Sequence, residues 1–128
     1  MQFREIEQIK IRNELTLEGA LDAIITINEG GFIEFFNKAA EELWGIPKKD
    51  AIGKNVRMLF SEYTIQNDEF VARYVEPGTN KIVGVRKEVM ILGKDGVEKP
   101  VLMLLSEANV DNSYSYTAFI QNIEVELF

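Results

Sequence analysis

Apolar residues Phe3, Ile6, Ile9 and Leu15 recur at helical spacing among alternating charges, with no Gly or Pro between Phe3 and Leu17. This spacing predicts an amphipathic helix over residues 1–18. A helix that short is marginal alone in water, so its stripe must pack on the domain or on a second copy of itself. The pattern then changes period. Ala23-Ile24-Ile25-Thr26-Ile27-Asn28 is rich in β-branched residues, Glu29-Gly30-Gly31 breaks it, and Phe32-Ile33-Glu34-Phe35-Phe36 follows, which predicts a hairpin. Asn37 fits a helix N-cap, Ala40, Leu43 and Trp44 share one helical face, and Gly45 with Pro47 supplies a stop.

From Pro47 to Thr64 the apolar residues fall in short groups broken by Gly53, predicting single helical turns. Asn67-Asp68-Glu69 has the chemistry of a helix start, with Phe70, Val71 and Tyr74 on one face and Pro77-Gly78 as the close. Three long strands are predicted after it, Lys81–Leu92, Lys99–Asn109 and Tyr114–Val125, and their short connections force antiparallel pairing. In the middle strand Val101, Met103 and Leu105 alternate with Leu102 and Leu104, so both sheet faces carry bulky apolar side chains. The short helices can cover one face, and the other calls for the N-terminal helix or a second subunit. The expected fold is therefore α+β, a five-stranded antiparallel sheet with short helices on one face and the amphipathic N-terminal helix on the other.

The chain has 128 residues, enough for one domain. Fourteen Lys plus Arg against 21 Asp plus Glu give a net charge of −7, which opposes binding to nucleic acid or anionic lipid. No apolar run is long enough to span a membrane and the first residues lack a signal-peptide pattern, so a cytoplasmic domain without membrane insertion is expected. With neither Cys nor His in the chain, thiolate chemistry, cysteinyl-flavin adducts, Ser-His catalysis and His-ligated metals are excluded. A carboxylate-based enzyme remains the competing class, but there is no phosphate loop, no metal-ligand spacing and no nucleophile beside a base. Glu41-Glu42 and Asp68-Glu69 are adjacent pairs that do not share a helix face, and they read as solvated or first-turn acids. The chain is read as a non-enzyme with no metal site.

Asp22-Ala23-Ile24-Ile25-Thr26-Ile27, Gly31-Phe32-Ile33, Phe36-Asn37-Lys38-Ala39-Ala40-Glu41-Glu42-Leu43-Trp44-Gly45, Ile52-Gly53-Lys54-Asn55-Val56, Asp95-Gly96 and Tyr116–Ile123, in this order, resemble the PAS domain. The resemblance spans residues 19–125 and leaves 1–18 as a dimerisation helix and 126–128 as the start of a linker to an output domain. Asn80–Val89 and Tyr116-Thr117-Ala118-Phe119 look most like the PAS modules of bacterial methyl-accepting chemotaxis proteins, and also resemble haem-PAS oxygen sensors. It implies a sensory module of a signalling protein, a chemoreceptor, taking a small ligand or redox cue or mediating homodimerisation through the N-terminal helix and outer sheet face. The alternative is a ligandless interaction and dimerisation module of a histidine kinase or cyclic-dinucleotide enzyme.

In the haem-binding relatives the proximal His falls at Asn67, a distal Met at Val85 and a distal Arg at Lys87, so the resemblance implies that His-ligated haem is not held here. Together with the alternation it also implies a cavity between helices and sheet, lined by Trp44, Asn55, Met58, Asn67, Phe70, Tyr74, Ile82, Val85, Met103, Leu105, Ala118 and Ile120. A mostly apolar wall with a few amides suits a flat or apolar ligand such as non-covalent flavin. The same set at strand and helix spacing equally describes a packed core with no cofactor, Trp44 as a helix anchor and Asn37 as a cap.

Overall fold

The structure is a computed structural model, and it describes residues 19–123. The predicted N-terminal helix, the last predicted strand residues and the linker at 126–128 lie outside the described residues. Ten short elements follow one another: β1 (Ala23–Asn28), β2 (Ile33–Phe36), α1 (Lys38–Trp44), α2 (Lys48–Ala51), a 3₁₀ turn (Val56–Leu59), α3 (Glu62–Asn67), α4 (Glu69–Val75), β3 (Arg86–Leu92), β4 (Glu98–Val110) and β5 (Ser113–Asn122). The strands form one antiparallel sheet in the order β2-β1-β5-β4-β3.

Alternation settles the register. Pairing Ile25 with Ala118 and Met103 with Ile120 places the odd-numbered apolar residues of β1 and β4 and the even-numbered ones of β5 on one face. That face is buried beneath the helices, with Ile25, Ile27, Met103, Leu105, Ala118 and Ile120 all in the core. The opposite face carries Leu102, Leu104, Thr117 and Phe119, each half-buried.

Local chemistry explains the connections. The Asn28 side chain accepts from the Gly30 and Phe32 amides at 3.0 and 3.1 Å, shaping the first hairpin. Gly31 there has φ 84, and a Cβ on it would stand 3.4 Å from the Val75 carbonyl, so both conformation and approach favour glycine. The Asn37, Ser61 and Asp68 side chains cap α1, α3 and α4 by accepting from the amides of Ala40, Thr64 and Val71.

Two expectations are corrected. The strand predicted from Lys81 starts only at Arg86, because Gly84 sits at φ 76 and breaks the extended run. Asn67 is not a helix start: it is the last residue of α3, and the following Asp68 supplies the cap of α4.

Candidate functional site

Asn37 is fully buried; its Oδ1 accepts from the Ile24 amide at 2.9 Å and the Ala40 amide at 3.0 Å, while its Nδ2 donates to the Asp22 carbonyl at 3.0 Å. One side chain thus ties the start of β1 to the helix it caps. Trp44 donates its indole N–H to the Leu59 carbonyl at 3.1 Å and packs at 5.9 Å from the Phe36 ring. Gly45, at φ 72, closes the helix by donating to the Glu41 carbonyl, and the Trp44 carbonyl accepts from Lys94 in the β3–β4 turn.

The helices α3 and α4 form the other side. The Glu98 carboxylate on β4 accepts from the hydroxyls of Ser61 and Thr64 at 2.7 and 3.2 Å, which seats α3 on the sheet. On α4, Phe70 and Tyr74 lie one turn apart on the buried face. The Tyr74 ring meets Phe60 edge-on at 6.0 Å, and its hydroxyl is buried with no hydrogen-bond partner among the described residues. Burial pushes its pKa well above the ordinary tyrosine value. A cleft of about 450 Å³ opens where α3 meets α4, lined by Asn67, Asp68, Glu69, Phe70, Ile82, Val85 and Lys87.

The predicted pocket residues separate into groups. Trp44, Phe70, Tyr74, Met103, Leu105, Ala118 and Ile120 all belong to one continuous core, with Ile82 packed against its edge. Asn67, Phe70, Ile82 and Val85 come together at the cleft. Met58 is partly exposed on the 3₁₀ turn, and Val85 and Asn67 are exposed as well, so none of these three is an interior wall. Asn55 spends its Oδ1 capping the 3₁₀ turn through the Arg57 amide at 2.9 Å, and its backbone bridges to Phe32 at the β2 edge, away from the cleft. Among the described residues no group of three or more metal-ligating side chains is gathered.

Sequence reasoning missed Lys81. Its residue is buried; Nζ donates to the carbonyls of Arg73 and Glu76 at 3.1 and 2.8 Å and stands 5.0 Å from the centre of the Tyr116 ring. Burial lowers its pKa from the ordinary lysine value, with Glu76 acting in the opposite sense. The available signal was its place a few residues past the end of α4, where a lysine can reach back to the last carbonyls.

The family described as the PAS fold matches residues 12–109, and the chain belongs to that family. It is 30% identical over 112 residues to the oxygen sensor protein DosP of Escherichia coli, covering 87% of this chain and 14% of that protein. It is 30% identical over 103 residues to the sensor protein FixL of Bradyrhizobium diazoefficiens, covering 80% of this chain and 20% of that protein. The chain therefore spans a fifth or less of these curated relatives. Among solved structures, the PAS domain of a protein from Colwellia psychrerythraea superposes with a TM-score of 0.74 at 24% identity, covering 90% of this chain and 97% of that one.

Proposed function

We propose that this PAS domain, a module of the kind carried by signalling proteins, senses a small non-haem ligand at the cleft between α4 and the segment leading into β3. The observation that carries this reading is the cleft itself, which gathers Asn67, Phe70, Ile82 and Val85; Phe70 stands one helical turn from Tyr74, whose hydroxyl is buried without a partner among the described residues. Buried polar groups are nearly always satisfied, so a partnerless hydroxyl on the helix that walls the cleft calls for a water or a ligand atom. The relative named for oxygen sensing does not carry a haem reading to this chain, which has no His to ligate iron. Non-covalent flavin remains one chemistry that the apolar wall and the amide of Asn67 would suit.

The wider reading is that residues 1–18 pair two copies across the outer sheet face and that an output domain of the same protein receives the signal. Half-buried Leu102, Leu104 and Phe119, around a small hollow of about 40 Å³, support a cover on that face. A chemoreceptor as the parent protein rests on the likeness of Asn80–Val89 and Tyr116–Phe119 to chemoreceptor modules. A second reading, a ligandless interaction module, is favoured by the seven predicted pocket residues that fill a continuous core.

An absorption spectrum of the purified protein, with mass spectrometry of the supernatant after denaturation, separates the two. The sensor reading expects a released small molecule near one per chain and no Soret band. A colourless dimer that releases nothing favours the interaction module, and a Soret band overturns the exclusion of haem.

A further inference from the structure

Lys81 is a buried charge that the reading above leaves without a role. Its two acceptors, the carbonyls of Arg73 and Glu76, close the C-terminal end of α4, where carbonyls have no partner within the helix and the helix dipole is negative. The Thr79 hydroxyl donates to the same two carbonyls, at 3.0 and 2.9 Å, so the loop after α4 is folded back on the helix end. The ammonium also faces the Tyr116 ring on β5, an attraction that strengthens when the charge is withdrawn from water. Tyr116 is paired with Ile27 on one side and Glu107 on the other, so it sits in the middle of the sheet. One side chain therefore joins the end of α4, its loop and β5.

The cleft shares these parts. One wall is α4 through Phe70, and the other is the segment holding Ile82 and Val85, which begins at the residue after Lys81. We propose that Lys81 is a latch between the two walls, and that occupation of the cleft opens it and so reaches β5. This inference rests on the reading of the cleft as a ligand site. The ammonium holds its carbonyls at 2.8 and 3.1 Å, already spanning the ordinary range, so a group that pushes the Ile82–Val85 segment away from Phe70 draws the ammonium off them. The flexible lysine stem lets the charge leave for water, where its hydration offsets the lost contacts. Ligand and latch are then coupled through two discrete arrangements of the same segment.

The chain contains no cysteine, which gives a direct test. Val85→Cys places one thiol at the cleft, and benzyl methanethiosulfonate then sets a benzyl group there covalently; Val110→Cys, at the exposed β4–β5 hairpin, takes the same label as a control. The readouts are the ¹⁵N-correlated signal of the Lys81 ammonium, shifted by the Tyr116 ring current, and amide hydrogen exchange. The latch expects the labelled cleft variant to lose the ring-current shift, with exchange about tenfold faster at residues 74–79 and beside Tyr116, and little change in β3 or from the control label. An unchanged ammonium signal and unchanged exchange overturn it, as does loss of protection spread evenly through the sheet. Lys81→Met should show the fast exchange before labelling and gain nothing from the label; if it fails to fold, the labelled Val85→Cys protein alone decides. Because the probe is covalent, a cleft that binds no natural ligand refutes the sensor reading and leaves the latch result standing on its own.

Discussion

The two helix corners of this domain are made from similar residues and solve opposite problems. At the α1 corner, Asn37 and Trp44 are buried, and the amide and indole polar atoms meet backbone partners that link β1, α1 and the 3₁₀ turn. At the α4 corner an aromatic side chain, Tyr74, is buried as deeply, and a charged one, Lys81, nearly so. There the Tyr74 hydroxyl lacks a partner among the described residues, and Lys81 reaches the end carbonyls of α4, where α1 uses a capping glycine. A satisfied polar corner fixes one geometry, whereas a corner held by a hydroxyl without a partner and a withdrawn charge is closer in energy to its alternatives. The latch proposal follows this contrast, with α1 as the frame and α4 as the place where a response would act.

The largest expected effect falls on the frame. Trp44→Ala removes a large buried ring, its contact with Phe36 and the bond to Leu59, and should cost about 3–5 kcal/mol in urea unfolding. A cost near that of an exposed residue would break the comparison. Asparagines sharpen it further. Asn37→Ala strands the Ile24 amide and the Asp22 carbonyl and removes the cap, costing about 2–3 kcal/mol. Asn67→Ala removes one exposed bond to the Tyr63 carbonyl and should cost less than about 0.5 kcal/mol by the same measurement.

At the other corner the sign reverses. Tyr74→Phe deletes a buried hydroxyl that has no partner among the described residues, so the ligand-free protein should gain about 1 kcal/mol, while any ligand that bonds the hydroxyl should bind more weakly. The pH dependence follows the same group. Its folded pKa is raised by burial, so the folded state holds the proton more tightly than the unfolded chain, which titrates near 10. Stability is therefore fully present below that pH and declines as pH rises past it. Lys81 has the opposite sign: its folded pKa is lowered, so stability rises with pH up to the ordinary lysine value of 10.5. Tyr116, raised by burial and then by Glu107, Tyr114 and Glu29, adds to the tyrosine decline. Urea midpoints between pH 8 and 11 should fall less steeply in Tyr74→Phe than in the parent, and equal slopes would remove Tyr74 from this account.

Elements with a strong period were legible from the residues alone. The first hairpin, the Asn37 to Gly45 helix and the antiparallel strands each carry their signal locally, in alternation, a cap or a turn. Gly84 was the sign that the strand could not begin at Lys81, but a single glycine is weak against a run of β-branched neighbours. The site was less legible for a different reason. Apolar residues on the inner face look the same whether they fill a core or line a cavity, so Met103, Leu105, Ala118 and Ile120 could be placed but not sorted. Lys81 was overlooked because its partners are backbone carbonyls and an aromatic face, which leave no charge pattern in the sequence, so its place past the end of α4 was the one signal of its role.

The smallest expected effect tests where the response is located. Glu69 lines the cleft and pairs with Arg73 at 2.8 Å, four residues along α4, with both side chains largely in solvent. Such pairs contribute about 0.3–0.5 kcal/mol because water and salt screen them. Glu69→Gln should therefore cost no more than that in urea unfolding, and the effect should shrink in 0.5 M NaCl, where the screening length falls to about 4 Å. The Lys81 contacts to the same helix are buried, so exchange at residues 74–79 should hold its protection in that salt. If Glu69→Gln instead loosened those amides as strongly as Lys81→Met, the end of α4 would be governed by its exposed charges, and the buried latch would have no separate part to play.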